Sequence, residues 1–237
     1  MKAVVMRETG GPEVLSLEEV DTPEITLATQ LKVRIQGAGV NPIDTKLRAR
    51  GLFVSPGEPA VLGCDGAGVV VETGSQVTQF RSGDEIWYCD GGLGGLQGNY
   101  AEYAVIEESV CCRKPVSVDF VHAAAAPLVL ITAWEALFGR ARLTEEKTLL
   151  VHAGAGGVGH VAIQLAKQAG ARVLTTVSTE EKQAFVAALG ADESILYRDH
   201  GFVDEVLRLT DGAGADVVLD TVGGDVFKAS INATSPY

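Results

Sequence analysis

The chain has 237 residues, 46% of them hydrophobic and 21% charged, with 31 acidic against 19 basic side chains and a net charge of −12. That length holds one large domain or two modest ones, and the composition is that of a globular protein rather than a disordered one. The acidic balance argues against nucleic acid, whose phosphates it repels without any gain from counterion release; no apolar run suits a signal peptide or a membrane span, so a cytoplasmic protein is expected.

The first half reads as strands. Residues 3–6, 31–36, 69–72, 85–88 and 103–106 are short apolar or alternating runs, separated by Gly-rich or polar turns at 8–12, 81–84 and 90–98. Many short strands with such turns predict an antiparallel β-barrel. The stretch from Asp90 to Asn99 is too rich in glycine for a strand interior. It reads equally as an active-site loop or a long hairpin turn. Helical periodicity is nearly absent until His122. Leu128, Ile131, Trp134, Glu135 and Phe138 then take helical spacing, with Pro127 near the start. Trp134 is read as core packing. A domain boundary is placed here, giving domains 1–122 and 123–237.

Four cysteines are present, Cys64, Cys89, Cys111 and Cys112, and none forms a C-x-x-C pair. They read as reduced, partly buried thiols rather than as metal ligands or disulfides.

The second half alternates strands and helices. The run Leu149-Leu150-Val151 leads into Gly154-Ala155-Gly156-Gly157-Val158-Gly159 and then an amphipathic segment. Strand, glycine loop and helix in that order form the setting of a dinucleotide fingerprint. Gly154 is assigned the tight turn, Gly156 the approach of a pyrophosphate, and Gly159 close packing of helix on strand. The N–H groups of the first helical turn then face the phosphates. Gly170 is a predicted helix stop. Further strands are expected at 172–177, 194–197 and 216–220, and helices at 180–189, 202–209 and 226–233, the first opened by a capping box of Ser178 and Glu181. This pattern predicts a parallel sheet covered on both faces.

An NAD site commonly has an acid at the end of the second strand, on the ribose 2′-hydroxyl. Here that strand ends Thr176-Val177-Ser178. Hydroxyls and a cation accept a 2′-phosphate, and Ser178, Lys182 and Tyr197 supply them. NADPH is therefore expected over NADH, although Glu180 and Glu181 adjoin and Ser178 also reads as a plain helix cap.

Taken together, the sequence resembles the zinc-independent quinone oxidoreductases of the medium-chain dehydrogenase/reductase superfamily. The resemblance runs through VNPIDTKLRARG (40–51), LGCDGAGVVVETG (62–74), FRSGDEIW (80–87), AAAAPLVLITAWEAL (123–137) and HAGAGGVGHVAIQLAKQAGARV (152–173), with LGAD at 189–192 and DTVGG at 220–224. It implies a GroES-like antiparallel β-barrel domain followed by a doubly wound Rossmann domain. It also implies reduction of quinones or other α,β-unsaturated carbonyls by NADPH, and a homodimer in full-length members. The zinc alcohol dehydrogenases of the same superfamily carry a Cys-His pair and a Gly-His-Glu segment where this chain has Asn41-Pro42 and Gly63-Cys64-Asp65, and the four-cysteine structural zinc lobe is missing. No zinc is therefore expected. By resemblance, Asn41 lines the substrate pocket, Thr132 sits near the nicotinamide, and Lys182 and Tyr197 match positions that hold the 2′-phosphate. A tyrosine usual after the Arg-x-x-Gly segment is replaced by Phe53. No unambiguous general acid is visible; water is one proton source, and Asp44 and Asp65 read equally as structural or catalytic.

Four Rossmann strands are counted, whereas the family continues through a fifth and a sixth. A fragment or a natural truncation is expected. The alternatives to a reductase are a nucleotide-binding protein without useful catalysis, as in family lens crystallins, an inactive fragment and, less favoured, an alcohol dehydrogenase.

Overall fold

A computed structural model describes residues 1–51, 59–92, 97–197 and 201–236. Phe53 and the centre of the glycine-rich stretch after Asp90 lie outside the described residues. The chain divides into two compact units, Met1–Leu128 and Val129–Tyr237.

The first unit is built from antiparallel strands. β1 (Lys2–Met6), β2 (Ser16–Glu19), β3 (Gln30–Gly39), helix α1 (Pro42–Arg50), β4 (Ala60–Val61), β5 (Asp65–Thr73), β6 (Glu85–Cys89), β7 (Tyr103–Glu107) and β8 (Cys111–Arg113) follow in order. They form a five-stranded sheet β7-β3-β5-β6-β8 and a three-stranded sheet β2-β1-β4, joined by a bridge between Ala3 and Ala101. Alternation sends Leu31, Val33, Val70, Ile86, Ala104 and Ile106 into one apolar core. Helix α2 (Phe120–Ala124) packs Ala123 and Ala124 against Ala67. Gly37 on β3 makes room for it, since a Cβ there would stand 2.8 Å from the Phe120 carbonyl oxygen.

Helix α1 runs through a stretch expected to lack helix. Its sequence has little amphipathic pattern, so periodicity did not mark it. The local end signals are nevertheless present: Pro42 opens it and the Asp44 carboxylate accepts the Asn41 N–H at 2.7 Å.

α3 (Pro127–Trp134) continues into a π-type turn over Glu135–Arg140. Trp134, expected in the core, is 60% exposed, because the buried line of this helix runs through Ala133 and Leu137 instead.

The second unit continues with β9 (Thr148–Val151), α4 (Gly157–Gln168), β10 (Arg172–Val177), α5 (Glu180–Ala188), β11 (Glu193–Leu196), α6 (Phe202–Leu209), β12 (Val217–Leu219) and α7 (Asp225–Ser230). The strands are parallel in the order β11-β10-β9-β12, with Leu150 opposite both Leu174 and Val218. Successive side chains of β9 point to opposite faces. Leu149 and Val151 join Ala162, Ile163 and Ala166 of α4 in one core, while Leu150 joins Leu174, Ile195 and Val206 of α6 in another. Burial on both faces explains why these strands read as unbroken apolar runs. Beside β12, Ala215 bridges Thr234 in parallel, which begins a further line of pairing. Among the described residues, no helix is long and apolar enough to cross a membrane.

Candidate functional site

The loop between β9 and α4 carries the glycines. Gly156 is the N-cap of α4, in extended conformation. A Cβ on it would meet only the Ala153 carbonyl oxygen, at 3.1 Å, and one on Gly157 only Val129 Cγ1, at 3.4 Å. Both are exposed, so the backbone around the first turn of α4 is open to an approaching group. The other two glycines face inward. A Cβ on Gly154 would collide with Thr175 Oγ1, and one on Gly159 with the Ala153 carbonyl oxygen and, at 2.8 Å, the Gly154 Cα. The left-handed residue of the turn is Ala153, at φ 54°. Gly154 is therefore required for space against β10, not for the tight turn first assigned to it. Ala155 and Val158 pack on the core formed with α4.

An anion reaching this loop meets four features at once: exposed glycine backbone, unpaired N–H groups of the first helical turn, the positive end of the helix dipole, and no acidic side chain in that turn. A pyrophosphate fits that cradle.

At the end of β10, Lys182 Nζ donates to Ser178 Oγ at 3.1 Å. The cap of α5 is Thr179, whose hydroxyl accepts the Lys182 N–H at 3.3 Å. The expected Ser178–Glu181 capping box is thus corrected by one position. The chain is still extended at Thr179, which places Thr179 at the N-cap and frees the Ser178 hydroxyl for the lysine. Tyr197 follows Leu196, the partner of Val177, so it lies at the same end of the sheet as Ser178. Its side chain helps line a cavity of about 340 Å³ with His152, Ala153, Thr176, Phe202, Val222 and Val226. Thr132 is exposed on α3.

His152 passed unremarked in the sequence, and a histidine closing a buried strand was its only signal. It is 1% exposed. Its Nε2 meets Ser230 Oγ at 2.9 Å, and that hydroxyl donates to the Val226 carbonyl at 2.7 Å. Ser230 must then accept from His152, which puts the ring proton on Nε2. Nδ1 accepts from Thr176 at 3.1 Å, and the Thr176 oxygen in turn accepts the Ala153 N–H at 3.2 Å. The network holds a neutral imidazole, and burial, set against attraction to Asp220, pushes its pKa below the usual histidine value. At mildly acidic pH the unfolded chain binds a proton that the folded chain refuses, so stability is lost as pH falls through about 6.5. Urea melts at pH 7.5 and 5.5 should show His152→Gln losing about 1 kcal/mol less on acidification than the parent. Equal losses in both proteins would exclude this role.

In the first unit, Asn41 is the hub of a buried polar group. Its Nδ2 donates to Asp65 Oδ2 at 2.9 Å and lies 3.7 Å from Cys64 Sγ. Asp65 Oδ1 accepts the Leu128 N–H at 2.9 Å. Tyr100 donates its hydroxyl to Asp44 Oδ2 at 3.0 Å. The Tyr100 ring packs on Gly63, at φ 98°, where a Cβ would stand 2.6 Å from the ring carbons. Burial raises the Asp65 carboxyl above its ordinary value, against the opposing effects of Asn41, Leu128 and Cys89. The amide nitrogen of Asn41 is thus committed inward, and its side chain also takes part in the capping box that opens α1.

Cys64, Asp65 and Cys89 place their sulfurs and a carboxylate oxygen within 4.8 Å of one another. As a zinc site the set fits poorly. Both oxygens of its carboxylate already accept N–H groups, and the Asn41 amide points a hydrogen rather than a lone pair at it. The Cys89 thiol and burial push the Cys64 thiol up, away from the thiolate a metal needs.

Residues 28–116 match the alcohol dehydrogenase GroES-like domain family, and residues 157–237 match the zinc-binding dehydrogenase family. The chain is 38% identical over 235 residues to a quinone oxidoreductase of Pseudomonas aeruginosa, covering 99% of this chain and 70% of that protein. Among solved structures it is similar to the quinone oxidoreductase of Pseudomonas syringae, with a TM-score of 0.89 and 39% identity over 99% of this chain and 70% of that one. It is also similar to the Escherichia coli quinone oxidoreductase complexed with NADPH, with a TM-score of 0.87 and 32% identity over the same shares.

Proposed function

This chain belongs to the quinone oxidoreductases of the medium-chain dehydrogenase/reductase superfamily, and from that premise we propose that it reduces quinones or other α,β-unsaturated carbonyls with NADPH, without zinc. The observation that carries this reading is the open glycine loop at the N-terminus of α4, with Lys182 and Ser178 paired at the end of the neighbouring strand. NADPH in the complex of the Escherichia coli relative supports the choice of cofactor.

In this reading Gly156, Gly157 and the first turn of α4 hold the pyrophosphate, with Gly154, Ala155, Val158 and Gly159 shaping the loop. Lys182, Ser178 and Tyr197 receive the 2′-phosphate. When bound, the cofactor supplies a hydride. Reduction of an electron-poor carbonyl leaves an enolate or phenolate whose charge is delocalised, so positioning of the partners carries much of the rate and no Lewis acid is demanded. Thr132 and Asn41 are proposed to line the nicotinamide and substrate regions. The proton comes from water. A homodimer and a cytoplasmic location belong to the same reading.

The test is oxidation of NADPH followed at 340 nm with 1,4-benzoquinone, alongside metal analysis. Turnover with substoichiometric zinc is expected. Tight NADPH binding without turnover would instead favour a nucleotide-binding protein, and stoichiometric zinc would overturn the metal-free assignment. Removing one charge-assisted phosphate contact costs about 1.5–3 kcal/mol. Lys182→Ala should therefore raise the NADPH dissociation constant by roughly tenfold to a hundredfold and leave that of NADH unchanged. Equal loss for both cofactors, or none for either, counts against the phosphate role.

A further inference from the structure

Cys64 and Cys89 are distant in sequence, but antiparallel pairing of β5 with β6 sets Asp65 opposite Cys89. Cys64 directly precedes Asp65, and its sulfur joins the same group. The two sulfurs lie within 4.8 Å of each other. Their backbones are clamped. The Asp90 N–H donates to the Cys64 carbonyl at 2.8 Å. Asn99, 1% exposed, donates from one amide to the Gly63 carbonyl at 3.0 Å and the Asp90 carbonyl at 2.8 Å, the residues flanking the two cysteines. Tyr88 fixes that amide by donating to Asn99 Oδ1 at 2.8 Å. A disulfide needs converging side chains on backbones held close together; the two sulfurs meet within 4.8 Å, and the clamp holds the backbones that carry them. A clamped dithiol beside the Asn41 hub has no part in the reaction described above.

We propose that Cys64 and Cys89 are a dithiol that hydrogen peroxide closes to a disulfide, and that closure displaces the Asn41 carboxamide. Cys89 is the half-buried member and meets the oxidant first; Cys64 is fully buried. The Cys89 sulfur attacks one peroxide oxygen, the O–O bond breaks, and a sulfenic acid and water result. The Cys64 sulfur then attacks the Cys89 sulfur, its proton leaves with the hydroxyl as a second water, and the S–S bond forms. Two thiols are oxidised by two electrons and one peroxide is reduced to two waters. Drawing Cys64 Sγ onto Cys89 removes its 3.7 Å contact with Asn41 Nδ2, and takes the Cys89 thiol from Asp65, which otherwise interacts with it. Cys111 sits in the core of the five-stranded sheet with its thiol on the Glu107 carbonyl at 3.2 Å, and stays outside this chemistry.

The effect on turnover rests on the quinone-reduction reading; the disulfide itself does not. The reduced chain is treated with hydrogen peroxide, alkylated, and divided between peptide mapping and the NADPH–benzoquinone assay. A cross-linked Cys64–Cys89 peptide pair that dithiothreitol reverses is expected. With it, kcat/KM should fall roughly tenfold to a hundredfold, the effect of misplacing a positioning group by about an ångström, and recover on reduction. Cys89→Ser should give no cross-link and no response to peroxide; Cys64→Ser repeats the mapping should the first variant fail to fold. Both thiols still alkylated after peroxide, oxidation confined to the exposed Cys112, or zinc shielding the pair would each overturn the disulfide. A cross-link with unchanged turnover would overturn the displacement of Asn41. Absence of turnover before oxidation would instead refute the quinone reading, and the peptide map would still decide the disulfide.

Discussion

Gly159→Val is expected to destabilise the second unit by about 3 kcal/mol and to reduce NADPH binding at least tenfold. A Cβ at this position collides with the Ala153 carbonyl oxygen and stands 2.8 Å from the Gly154 Cα, both of them backbone that no rotamer change relieves. Relief requires α4 to move off β9, which opens the core of Ala162, Ile163 and Ala166 against Leu149 and Val151. It also carries the first-turn N–H groups away from the loop they face. The control is Gly157→Ala, where the added methyl lies 3.4 Å from a single side-chain carbon. That substitution gains up to about 1 kcal/mol of helix propensity and should leave the melting temperature unchanged or raised. Urea denaturation of both variants decides the matter. Similar stabilities would mean that helix and strand are less closely apposed than the structure has them.

Asp65→Ala is expected to cost about 4 kcal/mol, among the largest effects of any single change in the first unit. Asp65 is fully buried and its two oxygens answer two donors, Asn41 Nδ2 and the Leu128 N–H. Truncation leaves both donors unpaired in a dry site, at about 1–3 kcal/mol each, along with a small cavity. Asp65→Asn should fall between, because an amide accepts from one donor and turns its own N–H toward the other. Where the alanine variant folds, quinone turnover should drop while NADPH affinity is kept, since the loss lies in orienting Asn41 and not in the glycine loop. A stability within about 1 kcal/mol of the parent would be incompatible with a carboxylate that holds two buried donors.

The second unit was readable nearly throughout. Each element there carries its own punctuation: β10 and α6 occupy the expected residues, Gly170 with φ 82° stops the chain after α4, and the sheet is parallel, as the alternation of strands and helices predicts. Helical connections set β9 beside β10 and β10 beside β11, neighbours in sequence and in space, so local pattern determines much of the topology. The first unit was less legible. Its longer strands were visible as alternating runs, but β2, β4 and β8 are too short to show a period, and α1 has end signals without an apolar stripe. Trp134 was misread because helical spacing defines a face only to within one position, and the neighbouring line through Ala133 and Leu137 took the core.

The sequence by itself determined the class of the protein and the place of the glycine loop between β9 and α4. These depend on contiguous residues whose spacing has one structural meaning. Only the tertiary structure decided what the polar side chains do. It assigned Gly154 to space rather than to the turn, and gave His152 a neutral ring between Thr176 and Ser230. It turned the Asn41 amide inward to Asp65, and brought Cys64 beside Cys89. Each of these rests on partners far away in the chain, brought together by strand pairing, and a hydrogen bond or thiol contact between such partners leaves no periodic trace in the sequence.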